Sequence, residues 1–267
     1  MPSYLITGAS RGLGYEFARQ LAAIPDNTVI GMARNKDSTQ ARLAKDGITN
    51  VVIVQADITD QKALTAAFEQ VKTITKGSLD VLINNAALVS DRSSFITLVD
   101  DEPAMLEEDL MTSFRANVVG VANTVNTFLP LLRAGHEKKV VTISTGMADL
   151  DFVNRFSIPI AAPYSISKAA TNALVAKYNA TLGKSEGLLF MALSPGLVDT
   201  SEGKQPSEQE VAGGQAMGSM FQEYAPDFKG PITPEQSVQM CLKVIGAATV
   251  DTYGGAFVSH LGNKQWL

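Results

Sequence analysis

The sequence predicts an α/β chain: a doubly wound parallel sheet of about seven strands, with helices on both faces in three layers. Three observations carry this expectation. Short apolar runs recur along the chain, with longer amphipathic stretches between them. The runs are apolar at almost every position rather than alternating, as strands buried on both faces are. A glycine-rich segment stands between the first run and the first amphipathic stretch, where a strand hands over to a helix. Right-handed crossovers would then wind the helices over both faces and leave the carboxyl ends of the strands as the binding edge.

Residues 3–7 form the first expected strand, and Gly8-Ala9-Ser10-Arg11-Gly12-Leu13-Gly14 opens a helix reaching about Ala23. Residues 28–33 make the second strand, 36–46 a helix, and 51–56 the third strand, closed by Asp57. A helix over 60–76 presents Leu64, Ala67, Phe68 and Val71 on one side, and Leu79–Ile83 forms the fourth strand, ending at Asn84-Asn85-Ala86-Ala87. A long helix from about Pro103 to Leu132 leads to strand 139–144. Loop 146–162 precedes a helix over 163–183, followed by strand 188–193 and Ser194-Pro195-Gly196. Residues 199–232 are rich in Gly, Ser, Pro and Glu, with a Met/aromatic group of Met217, Met220, Phe221 and Tyr224. Helix 234–247 and strand 255–258 complete a single domain over 1–267.

Composition narrows the function classes. The chain has 267 residues, 45% hydrophobic and 18% charged, with a net charge of −5 and no Lys/Arg run, which argues against a nucleic-acid surface. The lone Cys241 excludes an internal disulfide and fits a reducing compartment; it shares a helical apolar pattern with Val238, Leu242 and Ile245, so a core position is expected. His136 and His260 lack metal-ligand spacing, so no metal is expected. No apolar run is long enough to span a membrane and no basic leader precedes the first strand, so the expectation is a cytoplasmic protein.

Two motifs carry chemistry. Glycines between strand and helix let backbone N–H groups approach a phosphate, and the helix N-terminus favours the negative charge. The spacing here is G-x-x-x-G-x-G, not the commonest dinucleotide fingerprint. In Tyr164-Ser165-Ile166-Ser167-Lys168, the four-residue spacing puts tyrosine and lysine a turn apart on one helix face. A free tyrosine has a pKa of about 10. A neighbouring ammonium lowers it, so the pair is expected to act as a tuned general acid/base.

With these motifs in order, the chain resembles the classical short-chain dehydrogenase/reductase family along essentially its whole length. The resemblance rests on Thr7-Gly8-x-x-x-Gly12-x-Gly14, Asp57, Asn84-Asn85-Ala86, Asn117, a hydroxyl after the fifth strand, Tyr164-x-x-x-Lys168, and Pro195-Gly196-x-Val198-x-Thr200. The C-terminal Gly255-Ala256-Phe257-Val258 and Trp266 look like fungal carbonyl or polyketide ketoreductases, such as norsolorinic acid ketoreductase. The resemblance implies a Rossmann-type fold and hydride transfer between a nicotinamide cofactor and a carbonyl or alcohol carbon. It implies that Tyr164 protonates the carbonyl oxygen, that Lys168 lowers the tyrosine pKa and holds the nicotinamide ribose, and that Asn117 helps hold a relay water. The family places a serine just after the fifth strand. Ungapped alignment puts Thr145 there, yet Ser144 is the residue of the family's type; extended neighbours point to opposite sides, and Ser144 is slightly favoured. The gap from there to Tyr164 is longer than usual, so residues 146–162 carry an insertion expected to shape the pocket with Phe152, Phe156 and Ile158.

The cofactor expectation is NADP(H). The position after the second strand that is acidic in NAD enzymes is Ala33, followed by Arg34, and Arg11 sits in the glycine loop; two guanidinium groups suit a 2′-phosphate. The phosphates are expected along Gly8, Ser10, Arg11, Gly12, Leu13 and Gly14. Asp57 and Ile58 are expected to flank the adenine, Asn84 and Ala86 to line the cleft, and Pro195, Gly196, Val198 and Thr200 to contact the nicotinamide amide and phosphates. The expected activity is NADPH-dependent reduction of a bulky hydrophobic ketone or aldehyde, with residues 199–232 as a lid. A non-catalytic NADP(H) sensor and an alcohol dehydrogenase running oxidatively are the alternatives. Apolar faces on the two helices over 103–132 and 163–183 (Leu110, Phe114, Val118, Val121; Ala170, Leu174, Ala176, Tyr178) suggest a homodimer or homotetramer, since the family pairs the corresponding helices.

Overall fold

The computed structural model describes residues 1–205, 211, 213, 218 and 220–267. Strands β1 (Ser3–Thr7), β2 (Thr28–Ala33), β3 (Val51–Gln55), β4 (Val81–Asn84), β5 (Lys139–Ile143), β6 (Leu189–Ser194) and β7 (Phe257–Ser259) form one sheet in the order β3-β2-β1-β4-β5-β6-β7. Every pairing is parallel. The helices described over their full length are α1 (Gly12–Ala22), α2 (Lys36–Lys45), α3 (Gln61–Ile74), α4 (Pro103–Phe114), α5 (Gly120–Arg133), α6 (Leu150–Phe156), α7 (Ala162–Glu186), α8 (Pro234–Ala247) and α9 (Val250–Tyr253).

The uniformly apolar strands divide their side chains between two cores by alternation. Ile6, Val81, Ile83, Val141, Met191 and Leu193 face one way, against Phe17 and Leu21 of α1 and Val238, Cys241 and Ile245 of α8. Leu5, Ile30, Leu82, Val140 and Phe190 face the other, against Leu64 and Val71 of α3, Val125 and Phe128 of α5, and Val175 of α7. Cys241 is fully buried in the first core, and burial pushes its thiol up to about 12, which leaves it inert as a nucleophile. Strand order reverses direction at β1, so a crevice opens between the carboxyl ends of β1 and β4.

Three expectations change. The long helix is interrupted: a π-helical turn, Arg115–Val119, joins α4 to α5. The 146–162 loop contains a 3₁₀ turn (Gly146–Ala148) and α6, whose N-cap Asp149 accepts from the Asp151 and Phe152 N–H groups. Much of the expected subunit-facing stripe packs on the sheet instead. Val121, Leu174 and Tyr178 join the second core, with Tyr178 stacked on Phe190 at 5.3 Å, while Phe114 stays 43% exposed. Among the described residues no helix is long and apolar enough to cross a membrane. Met217 of the expected Met/aromatic group lies outside the described residues; Met220, Phe221 and Tyr224 pack against α6 and Trp266.

Candidate active site

The crevice is built where β1, α1 and β4 come to backbone contact. Gly8 has φ +69°, and a Cβ there would lie 2.9 Å from the Ala86 Cα. A Cβ on Gly14 would lie 2.3 Å from the Gly8 carbonyl oxygen. Only glycine permits this approach. Asn85 locks it: its Nδ2 donates to the Thr7 and Gly8 carbonyls at 3.0 and 3.3 Å, while the N–H groups of Asn85 and Ala86 both donate to Thr7 Oγ1 at 3.0 Å. Asn84, at the end of β4, is buried with its amide 3.4 Å from Thr142 Oγ1 on β5. The two asparagines end a strand, and alternation sends the first into the sheet and the second to the turn.

Helix α1 starts at the N-cap Arg11 with no side-chain cap and no acid in its first turn. Exposed Arg11 and Arg34 flank this edge. Asp57 Oδ1 accepts from Thr59 N–H and Oγ1 at 2.8 and 2.7 Å. Burial pushes the Asp57 carboxyl up, but those bonds and the Arg34 and Arg115 charges outweigh it and hold it below the usual carboxylate range. Ile58, which follows it, is partly exposed and packs on Gly120 of α5, where a Cβ would come within 2.8 Å of it. After β6 the chain passes back over the glycine loop. Gly196 (φ +84°) lies under the His260 ring, Pro195 carbonyl accepts from Ser237 Oγ at 2.7 Å, Val198 bridges Ile232, and Thr200 reaches Gly12. Helix N-terminal N–H groups, a side-chain-free cradle and two guanidinium groups form a donor set that fits a dinucleotide's phosphates.

The reactive end lies between β5 and the first turns of α7. Tyr164 is half-buried and Lys168 is 2% exposed. Lys168 Nζ donates to the Ile143 carbonyl at 2.7 Å and lies 5.9 Å from the centre of the Tyr164 ring. The two hydroxyls after β5 part company. Thr145 lies beside the Tyr164 phenol, near enough to lower its pKa, and its Oγ1 accepts from Met147 N–H at 3.3 Å. Ser144, slightly favoured from sequence, instead donates to Asn172 Oδ1 at 2.7 Å and is 1% exposed. The main-chain bond from Ser144 N–H to Leu193 O (2.8 Å) continues the sheet by one residue, so alternation turns Ser144 towards α7 and Thr145 towards the crevice.

Electrostatics depart from the sequence argument too. Burial pushes the Tyr164 phenol up to about 12, with the neighbouring Thr145 hydroxyl pulling the other way, and pushes the Lys168 ammonium down to about 8. The ammonium is occupied by the Ile143 carbonyl, so exclusion of water, rather than mutual attraction, sets both groups in the free protein. Asn117, inside the π turn, is fully buried and fully bonded. It accepts from Leu88 N–H at 2.7 Å and donates to Leu88 O and Ser167 Oγ, both at 2.9 Å. Its side chain therefore clamps residue 88 to α7.

Phe152, Phe156 and Ile158 do not line an open pocket as expected; each is at least nine-tenths buried in an aromatic cluster with Phe221 and Trp266. Tyr224 meets Phe152 and Phe156 edge-on at 4.9 and 5.4 Å, and Trp266 stacks on Phe257 at 4.4 Å. Trp266 also presses on Gly146, so the cluster braces the turn that carries Thr145. A cavity of about 760 Å³ borders it, lined by Leu197, Tyr224, Phe228 and His260 but not by Thr145, Tyr164 or Lys168. Sequence reading passed over Asn85, Ser167 and Asn172. Asn172 was signalled, since Tyr164, Lys168 and Asn172 recur at four-residue spacing on one face of α7.

A family model described as short chain dehydrogenase matches residues 3–211. The short-chain dehydrogenase/reductase AacuF of Aspergillus aculeatus is 56% identical over 267 residues, covering 100% of both chains. The short chain dehydrogenase virK of Hypocrea virens is 47% identical over 275 residues, again covering 100% of both. Among solved structures, NADPH-bound carbonyl reductase from chicken fatty liver superposes with a TM-score of 0.76 at 24% identity, covering 98% of each chain. Carbonyl reductase Sniffer of D. melanogaster gives 0.77 at 20% identity and the same coverage. The superpositions bear out the doubly wound fold, and the family match together with these fungal relatives shows that the chain belongs to the short-chain dehydrogenase/reductase family of oxidoreductases.

Proposed function

We propose that the protein is an NADPH-dependent reductase that converts a ketone or aldehyde carbonyl to an alcohol, with Tyr164 as general acid. The observation that carries this reading is the Tyr164 phenol, held protonated by burial, beside the Thr145 hydroxyl and one helical turn from Lys168. A protonated phenol is the form that a carbonyl oxygen needs as negative charge develops on it. The cofactor, when bound, supplies the hydride. Thr145 Oγ1 holds the substrate oxygen beside Tyr164. Tyr164 passes its proton to that oxygen, and the Lys168 ammonium stabilises the phenolate left behind. Lys168 also takes the nicotinamide ribose hydroxyls. Gly8, Ser10, Gly12, Leu13 and Gly14 take the diphosphate, and Arg11 and Arg34 the 2′-phosphate. Asp57 and Ala86 border the adenosine, and Pro195, Gly196, Val198 and Thr200 the nicotinamide amide. The substrate is a bulky hydrophobic carbonyl compound bound within a single-domain chain; the lid expected over 199–232 falls in part outside the described residues.

Fluorescence titration with NADPH and NADH tests the cofactor reading. NADPH is expected to bind at least ~10-fold more tightly, about 1.4 kcal/mol; equal affinities, or a preference for NADH, would remove the roles given to Arg11 and Arg34. The division of labour after β5 has its own test. Thr145→Val is expected to lower kcat/KM by about 100-fold, the scale of losing one donor to a developing oxyanion. Ser144→Ala is expected to cost stability more than turnover, because its hydroxyl serves Asn172. Steady-state kinetics on both variants showing the reverse order would restore Ser144 as the substrate's partner.

A further inference from the structure

The start of α1 is already occupied by an anion, and it comes from the chain itself. Glu202 Oε1 accepts from Gly12 N–H at 3.3 Å and pairs with the Arg42 guanidinium at 2.9 Å. The Arg11 charge acts on the same carboxylate. Arg42 reaches this point from α2. It lies 4.2 Å over the Tyr15 ring and donates to the Ser10 carbonyl at 3.3 Å. The ring is fixed in turn by its hydroxyl, which donates to Asp46 Oδ2 at 2.5 Å. A helix N-terminal N–H and two guanidinium groups around one anion are the donors that a phosphate would use.

The backbone carries a second, independent mark. Glu202 has φ +54° and Gly203 φ +80°. A glutamate enters the left-handed region against a steric penalty, and does so where its surroundings hold it there. Apart from the Glu202 contacts, the loop is tied at its base. Asp199 N–H donates to Ile232 O at 3.0 Å and Ile232 N–H to Leu197 O at 2.9 Å, so residues 200–203 can lift without disturbing the end of β6.

We propose that Glu202 is an internal competitor for the cofactor's phosphate. It seals the Arg11–Arg42 site in the free protein and swings out, relieving its backbone, when the dinucleotide enters; Arg42 then pairs with the incoming phosphate. This rests on the reading that the chain binds NADP(H). It adds to Arg11 and Arg34 a third arginine, and a carboxylate that sets the threshold for binding.

The experiment is a titration of NADPH and NADH against wild type, Glu202→Gln, Arg42→Gln and the double variant. Both side chains are partly exposed, 39% and 36%, so each variant is expected to fold, which thermal melting checks beforehand. Glutamine can still accept from Gly12 N–H but carries no charge to compete. Glu202→Gln is expected to bind NADPH about three- to fivefold more tightly, the scale of one partly exposed ion pair. Arg42→Gln is expected to bind it more weakly, and the gain from Glu202→Gln is expected to vanish in the Arg42→Gln background, because the two act on one site. A gain confined to NADPH would identify the displaced group as the 2′-phosphate, and an equal gain for NADH would identify the diphosphate; both support competition. Unchanged or weaker NADPH binding by Glu202→Gln, with wild-type binding intact, overturns the proposal. A wild type that binds neither dinucleotide overturns the proposed function instead, and this inference with it.

Discussion

Tyr164→Phe is expected to lower kcat for carbonyl reduction by about 1,000-fold, within the range that a positioned general acid contributes, while NADPH affinity stays nearly unchanged. Phenylalanine keeps the ring that packs at the start of α7 and removes one oxygen, so the loss reports proton transfer and not folding. The environment argues for a large effect. The phenol is pushed up to about 12, so it is protonated through neutral pH, and the Thr145 hydroxyl lies beside it. Without it, the substrate oxygen would retain Thr145 but lack the acid, and the developing alkoxide would have no proton within reach. Single-turnover kinetics with preloaded NADPH would separate this from slower binding. A variant that turned over at the wild-type rate would dismiss Tyr164 as the acid. A variant that lost turnover yet supported the protein's role in the cell would point to a sensor of bound cofactor, a role for which the phenol is dispensable.

The differences between sequence and structure fall where a single residue's direction decides the outcome. The strands were legible because their side chains are apolar on both faces, a pattern that survives errors of a residue at either end. Direction does not survive such errors. At the ends of β4 and β5, a shift of one residue exchanges Asn84 for Asn85 and Ser144 for Thr145. Those choices depend on whether the ladder runs one residue further, as it does through Ser144 N–H and Leu193 O. The π turn at Arg115–Val119 was hidden for another reason: one wide turn leaves the apolar periodicity on either side intact, and the long helix reads as continuous. Helix α6 spans seven residues, too few for a period to emerge. The spacing of Tyr164 and Lys168 was plain in the sequence, but their charge states were not. Spacing shows which groups are neighbours; burial, which only the fold supplies, determines what each costs to ionise.

That cost gives the other large expectation, in stability and not in rate. The Lys168 ammonium is pushed down to about 8 in the folded protein, from 10.5 when exposed. Between those values the unfolded chain binds a proton that the folded chain has shed, so unfolding becomes harder as pH rises. The gap amounts to about 3 kcal/mol, gained between roughly pH 8 and 10.5. Tyr164 works in the opposite direction and higher up. Its folded value near 12 exceeds the ordinary 10, so its contribution is present below pH 10 and is lost as pH climbs from 10 to 12. Lys168→Met removes the first effect and keeps the second. Urea unfolding of wild type and Lys168→Met at pH 7, 8, 9 and 10 should therefore show the wild type gaining on the variant at each step. A difference that stayed flat across the series would mean that the ammonium is solvated in solution and that the crevice is wetter than its geometry indicates. If the difference rises, the free protein carries at neutral pH a buried charge that destabilises it. The same exclusion of water makes the charge effective: in a dry crevice an ammonium one turn from Tyr164 stabilises a phenolate far more strongly than it would in bulk solvent. The price in stability and the capacity for proton transfer are one property of the site.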